Sequence, residues 1–475
     1  MMKRFWLACA SLLFFSFFSM AAPADVPADV LADVLGKGKL FVTDVPLIDE
    51  QQLDPGFWLA KIDNGDRVLL SNDQIAARNA ETFRLQREMQ PLAELPLQYS
   101  RAALIDIIDR VSAVPTTPRF YAAGRKLTTL DWQRYRANLA LPAVKDENPL
   151  QFGLIVKRTP LLAFPSDDRV LSRARDNDLN RFQETGLFPA EPVAVLHTSA
   201  DDKWLLVQTY NYTGWVRRER IAIGPRRQVL DYADKTPFLV VTGAKVTTSY
   251  NPEQPALSEL QLDMGVRLPL LSAAKTGFNV HGQNPLASHI VQLPVRAADG
   301  SLLFSPALIP RGSDVHKGYL PYTGANIVRQ AFKFLGERYG WGHDYNGRDC
   351  TGFIGEVYRS FGLLMPRNSG EQGKGDYGRN IRFDPQHPID DKLKTVRASQ
   401  PGDLLYLPGH VAMYLGQIEG QPFIIHDAYG LSYLDSSHAL YQGILNGVMV
   451  TPLLPLRLSA EASYLDRMYA VKSLR

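Results

Sequence analysis

The chain is 475 residues long, 45% apolar and 21% charged, with 52 Lys and Arg against 49 Asp and Glu. That length allows roughly three or four domains of about 100 to 150 residues, and the near balance of charge argues against a dedicated nucleic-acid binder. Beyond the N-terminus no run approaches the roughly 20 apolar residues of a membrane span, so the mature protein is expected to have none.

In chain order, the first element is Lys3 and Arg4 followed by Phe5 to Met20, apolar apart from three serines. This reads as a cleaved export signal over 1–24, with small residues suited to cleavage after Ala21 or Ala24. The mature protein is then expected in the periplasm or cell envelope. Cys9 lies inside that signal, which leaves Cys350 as the single cysteine of the mature chain. An exported protein that needed a disulfide would keep its cysteines in pairs, so a lone one is either a reactive thiol or an accident of the core.

After the signal, Ala24 to Leu35 repeats Ala-Asp-Val three times, too briefly for a repeat architecture. The segment 25–150 reads as a mainly helical accessory domain. Arg101 to Val114 places Leu104, Ile105, Ile107, Ile108 and Val111 at helical spacing, and Leu130 to Leu141 reads as another helix.

From about Gly153 the period becomes that of strands. Pro192 to His197, a turn over Thr198 to Lys203, and Trp204 to Gln208 predict a hairpin. A further turn at Asn211 to Gly214 leads into Trp215-Val216, and 151–225 resembles a bacterial SH3-like barrel. The strand texture repeats over 226–318, at Phe238 to Val241, Lys245 to Thr247, Val266 to Leu271 and Ile290 to Leu293, as in a second barrel of that kind.

Over 319–475 the pattern becomes α+β. Helices are expected at Ala325 to Tyr339 and Asp349 to Phe361. Strands are expected at Asp403 to Leu407, His410 to Leu415, Pro422 to Asp427 and Gly447 to Leu453.

The chemistry gathers in this last segment. Phe353, Ile354, Val357, Tyr358 and Phe361 recur at helical spacing, which buries one face of the helix. Asp349 is placed as its N-cap. Cys350 then falls in the first turn, where the positive end of the helix dipole lowers the thiol pKa below about 8.5. A thiolate nucleophile needs an oriented base. His410 opens a strand, and His426 lies on the next one, sixteen residues on. The other histidines, His343 among them, carry no partner pattern and read as ordinary polar residues.

Tyr339-Gly340-Trp341-Gly342, Asp349-Cys350-Thr351-Gly352-Phe353, Pro401-Gly402-Asp403-Leu404, the run His410 to Gly416, and His426 together resemble the NlpC/P60 cysteine peptidases. These have a papain-like fold and cleave cell-wall peptides. The resemblance implies Cys350 as nucleophile, His410 as general base and acid, His426 as the residue orienting His410, and Tyr339 as a helper at the oxyanion.

With the signal, the helical segment and two barrels, the whole is similar to the multidomain γ-D-glutamyl-L-diamino acid endopeptidases, in which the first barrel narrows the cleft. Substrate contacts are then expected from Asp349 and from Arg367, Asn368 and Ser369, which match the family's Pro-Arg-x-Ser-x-x-Gln segment. Some relatives carry Asp at the position of Asn368, where it pairs with a free α-amine. Thr351 stands for the commoner Ser and His343 for the commoner Gly. Tyr210, Tyr212 and Trp215 are candidates for a barrel wall of the cleft, with plain barrel packing as the other reading.

The expected function is an exported endopeptidase acting on peptidoglycan stem peptides or muropeptides, without metal or cofactor. An amidase, an acyl transferase, or a wall-binding scaffold with a vestigial peptidase are the alternatives.

Overall fold

The computed structural model describes residues 40–475 apart from Arg175 and Asn177. The export signal, Cys9 and the Ala-Asp-Val segment lie outside the described residues.

The first described part is not one body packed on one neighbour. Trp58, in the short helix Pro55–Leu59, is fully buried in the core of the C-terminal segment, its ring 5.4 Å from Phe423. The helix Asn72–Leu85 starts at a Ser71/Gln74 capping box. The helix Arg101–Val111, capped by Ser100, buries Leu104 and Ile108 against Phe164, Phe182 and Trp215. It is shorter than its apolar pattern. Ser112 leaves the helix and donates to the Ala163 carbonyl (2.6 Å), which ties this end to the strands that follow. The helix Thr129–Asn138 ends before Leu141, where Ala140 adopts a left-handed conformation.

Seven strands over 151–224 form one sheet in the order Ile221–Gly224, Gln151–Ile155, Pro192–Thr198, Trp204–Gln208, Thr213–Arg217, Thr159–Leu162, Gln183–Leu187. The expected hairpin is present, with Leu206 opposite His197 on one side and Trp215 on the other. Residues 238–317 make three small antiparallel sheets. Their inward residues Leu239, Val241, Leu268, Val291 and Ile309 share a core with the seven-stranded sheet.

The C-terminal segment has a six-stranded antiparallel sheet, ordered Arg379–Arg382, Ala470–Ser473, Leu404–Leu407, His410–Ile418, Gln421–Leu434, Leu440–Pro452. Period-two alternation sorts its faces. Val411, Met413, Phe423 and Ile425 meet the helices Gly324–Phe332 and Cys350–Arg359, while Ala412, Tyr414 and Ile424 meet Leu431, Tyr464 and Met468. The helix expected to reach Tyr339 stops at Phe332. Gly336 turns the chain at φ +80°, and the next residues join the last long strand instead, through Gly336 N–H to Val448 O (2.8 Å) and Tyr339 N–H to Asn446 O (3.0 Å).

Candidate active site

The helix Cys350–Arg359 starts where its sequence says it should. Asp349 is extended (φ −99°, ψ 179°) and its carboxylate accepts the Gly352 N–H at 2.8 Å. The start is held by two arginines. Arg367 reaches Asp349 at 2.7 Å and the Thr351 hydroxyl at 2.5 Å, and its Nε donates to Thr185 of the seven-stranded sheet at 2.7 Å. Arg348, fully buried, spends its guanidinium on Glu356 of the same helix, on Glu337, and on Asp263 from the middle of the chain. Such an anchor fixes geometry more than it adds net stability, because desolvation offsets most of the attraction.

Cys350 is 8% exposed. The backbone N–H of Val411, at the start of the His410 strand, acts on the Cys350 thiol. Beside it, His410 Nε2 lies 2.9 Å from His426 Nδ1, and His426 Nε2 lies 3.1 Å from the Thr451 hydroxyl. One neutral tautomer chain satisfies both contacts: His410 Nε2–H donates to His426 Nδ1, and His426 Nε2–H donates to Thr451. In that chain His410 Nδ1 carries no proton and is the ring nitrogen available as a base. Tyr464 packs edge-on to both imidazole rings.

The electrostatics correct one expectation. Burial pushes the Cys350 thiol up to about 12, the Asp349 carboxylate adds to this, and the Val411 N–H opposes it. The helix dipole does not win in this site, because a thiolate here would be both desolvated and next to a carboxylate. Burial lowers the His410 imidazole to about 4, and burial together with His410 keeps His426 well below its ordinary value. At neutral pH thiol and imidazoles all rest uncharged. Such a set can move a proton from sulfur to Nδ1 as a carbonyl is attacked, without storing a charged pair beforehand.

Tyr339 is half-buried, with the Tyr429 ring edge-on to its own at 6.4 Å. The charges of Asp349, Cys350 and Asp427 all act on its hydroxyl.

The seven-stranded sheet supplies the other wall. Tyr212 donates to Glu184 at 2.5 Å and also interacts with the Asn368 side chain. Asn368 caps the helix Ser369–Lys374, and its Nδ2 donates to Glu371 at 3.0 Å. Ser369 opens that helix, its carbonyl accepting from Tyr469 at 3.3 Å. Tyr210 lines a small cavity with Arg359, Met365 and Arg367. The structure does not bring Trp215 to the cleft. Its indole is fully buried and donates to Ser112 at 3.0 Å, so it packs the sheet core against the helical segment.

His343 is not an ordinary polar residue. At φ +67° it turns its ring into the junction between the two sheets, where it accepts the Gly186 N–H at 3.2 Å and meets Glu356 Oε1 at 3.1 Å. Gly186 is required there, since a Cβ would come within 2.8 Å of the His343 side chain. Burial, with Arg367 next, keeps the imidazole well below its usual value. Glu184, Thr451 and His343 had no sequence signal of their own. Their roles depend on which elements pack together, and only the departure from Gly at position 343 pointed to any of them.

Residues 336–449 match the NlpC/P60 family, and residues 170–217 match the SH3 domain of SH3b1 type. The chain is 28% identical over 216 residues to the γ-D-glutamyl-L-lysine dipeptidyl-peptidase of Bacillus cereus, which covers 43% of this chain and 54% of that protein. It is 32% identical over 123 residues to dipeptidyl-peptidase 6 of Lysinibacillus sphaericus, covering 25% and 39%. The chain thus spans about half or less of the length of these curated relatives. Among solved structures, an NlpC/P60 endopeptidase from Photobacterium damselae subsp. piscicida superposes with a TM-score of 0.69 at 15% identity, over 88% of this chain and 96% of that one. That likeness is one of fold.

Proposed function

We propose that this chain, whose NlpC/P60 cysteine peptidase domain works beside an SH3-type domain, is an endopeptidase that cuts peptidoglycan stem peptides between γ-D-Glu and the diamino acid. The observation that carries the reading is Cys350 at a helix N-terminus beside the chain His410, His426, Thr451. The printed activity of the Bacillus cereus relative supports the choice of bond. A cell-wall hydrolase family acts outside the cytoplasm. Export by residues 1–24 to the periplasm or envelope is part of the proposal.

In this reading His410 Nδ1 takes the thiol proton as Cys350 Sγ attacks the γ-carbonyl carbon. The carbonyl oxygen becomes an oxyanion held by the Cys350 N–H, an orphan donor of the first helical turn, and by the Tyr339 hydroxyl. The imidazolium, stabilised by His426, gives its proton to the leaving amine of the diamino acid. A water then attacks the thioester with His410 again as base, releasing the γ-D-Glu carboxylate and restoring the thiol. Arg367 and Asp349 hold the helix start.

Substrate reading falls to the wall opposite the sheet. Asn368 brings no charge, but Glu184 reaches the same place from the SH3-type domain, braced by Tyr212. Burial raises the Glu184 carboxyl. An arriving ammonium would restore its charged form and gain a charge-assisted hydrogen bond. A stem peptide with a free N-terminal amine is therefore the preferred substrate.

The test is incubation with L-Ala-γ-D-Glu-diaminopimelate, free and sugar-linked, with products read by mass spectrometry. Release of L-Ala-γ-D-Glu, faster from the free peptide, is expected. Cleavage at the sugar–alanine bond would make the enzyme an amidase, and a product extended by an added acyl group would make it a transferase. No reaction on any stem peptide would leave the scaffold reading.

A further inference from the structure

His410 and His426 share one face of the six-stranded sheet, since alternation puts His410 with Ala412 and Tyr414, and His426 with Ile424. The C-terminal turn covers that face through Tyr464, Leu465 and Met468. Tyr464 opens the turn, which starts at a Ser463/Asp466 capping box. Its ring meets both imidazoles edge-on, with centroids 6.0 Å from His410 at 70° and 6.3 Å from His426 at 83°. A single hydrogen bond between two imidazoles leaves rotation about that bond open. A flat apolar ring set against both closes that freedom and keeps water off the pair.

A buried lysine seats the turn. Lys392, on the helix Ile389–Arg397, is 2% exposed. Its ammonium donates to the carbonyls of Leu465 (3.4 Å), Asp466 (2.8 Å) and Met468 (3.0 Å). Carbonyls at the end of a helical turn have no intrahelical donor, and here the three N–H groups of one ammonium supply them. The Asp466 carboxylate is turned back on Ser463, whose N–H and hydroxyl it accepts at 2.7 Å. Lys392 therefore ties the turn to the helix Ile389–Arg397 through backbone, not through an ion pair with Asp466.

We propose that Tyr464 is a positioning residue for the proton pair, a dry cover that holds the ring planes of His410 and His426, and that Lys392 is the clamp that seats it. The inference rests on reading His410 as the base. The register partners of the two histidines, Leu407 and Met449, are apolar, and Thr451 brings only a hydroxyl. Among the described residues no carboxylate or ammonium acts on His410, which burial lowers to about 4, and His426 feels burial and then His410. Burial, then Cys350, holds the Tyr464 phenol above its ordinary value, so the cover is uncharged over the whole working range. Lifting the cover admits water, which favours the imidazolium and removes the base at acid pH.

The test is a pH titration of the histidine rings by ring-nitrogen NMR, beside the pH profile of kcat/KM on one stem peptide. Tyr464→Ala should raise the His410 midpoint by at least about one pH unit toward 6.5, and should cut activity at pH 5 relative to pH 8 by roughly ten- to thirtyfold more than in wild type. Tyr464→Phe keeps the ring and should keep the wild-type midpoint. Lys392→Met leaves Tyr464 in place but unclamped. It should move the midpoint the same way, with a relative loss at pH 5 of about three- to tenfold, and in a Tyr464→Ala background it should add less than about twofold.

An unchanged His410 midpoint in folded Tyr464→Ala would overturn the cover. A Lys392→Met protein that loses Tm while its His410 midpoint stays put would make Lys392 merely structural and overturn the clamp, and this variant reads the same shift should Tyr464→Ala not fold. The ring titration needs neither substrate nor nucleophile and can be repeated in Cys350→Ala, so failure of the peptidase reading is distinguishable from failure of this inference.

Discussion

The two walls of the cleft use opposite electrostatics. On the sheet wall, His410, His426, Thr451 and Asp427 are desolvated and uncharged, joined where they are joined by single hydrogen bonds. At the helix start, which Arg367 ties to Thr185 of the barrel wall, charges are present and paired. Arg367 keeps Asp349 ionised, down at about 2 against the pull of burial, and Arg348 is bound by three carboxylates. The difference follows from what each wall does. A group that must gain and lose a proton within one turnover is poised by burial without a fixed counterion, whereas a group that only holds geometry is best locked in one charge state over the whole working pH range. Breaking either wall should therefore give different signatures.

The largest effect should come from the nucleophile. Cys350→Ala is expected to lower kcat by at least about 10⁴-fold while leaving the thermal transition near that of wild type, since a smaller side chain fits the first turn. Ordinary turnover in a folded Cys350→Ala protein would remove the mechanism. The raised thiol has a further consequence. In free enzyme at pH 7, iodoacetamide should alkylate Cys350 more slowly than it alkylates free cysteine, because less thiolate is present. Faster alkylation would mean that an ion pair with His410 already exists at rest.

Next in size are the links of the proton chain. His410→Ala removes the group that carries the proton and should cost on the order of 10³-fold or more in kcat. His426→Ala should cost less, because it removes only the acceptor that sets the His410 tautomer. His426→Asn and His426→Gln should regain part of that loss. Thr451→Val, at the end of the chain, should cost only about three- to tenfold, since His426 keeps its bond to His410. Steady-state kinetics on one stem peptide ranks the three positions, and equal losses at His410 and Thr451 would refute a graded chain.

Much of the sheet wall and of the helix start was legible in the sequence because their signals are local. The N-cap Asp349, the apolar stripe from Phe353 to Phe361 and the alternation after His410 each specify one element and the direction of its side chains. The resemblance then joined those elements in order. The barrel wall was less legible. Glu184 lies in the strand Gln183–Leu187, and nothing in that stretch says that the sheet will turn it toward Asn368. Trp215 reads from the sequence either as a cleft wall or as barrel packing, and the helical segment covers it. Even for Cys350 the local rule misled. The dipole argument was right about position and wrong about charge, because burial is a property of the whole packed site.

The barrel wall can be broken without touching the chemistry. Glu184→Gln removes the carboxylate proposed to meet a free amine and should reduce the preference for free over sugar-linked peptide by roughly ten- to a hundredfold, mainly through KM. Tyr212→Phe should give a smaller loss in the same direction. Asn368→Asp, which from the sequence would sharpen the preference, should not do so here. The Asn368 side chain already donates to Glu371, and an aspartate would face that carboxylate instead. A gain in free-peptide preference for Asn368→Asp alone would reassign the amine reader.

The smallest effect is on stability, and it tests both walls at once. His343, His410 and His426 are all held neutral, at about 4 for His410 and with the other two well below their ordinary value. In the unfolded chain each takes up a proton near pH 6.5. Between there and the folded value the unfolded state binds more protons, so stability falls as pH drops, by up to about 1.4 kcal/mol per pH unit for each histidine. That contribution is fully present above about pH 6.5 and lost on acidification. His343→Gln should remove one proton from the linkage. Whatever the substitution costs at pH 8, urea unfolding between pH 6.5 and 4.5 should show a slope shallower by about 1.4 kcal/mol per pH unit. An unchanged slope would mean that His343 is protonated in the fold, with the ring then donating to both Glu356 and the barrel, and the junction between the sheets would be an ion pair.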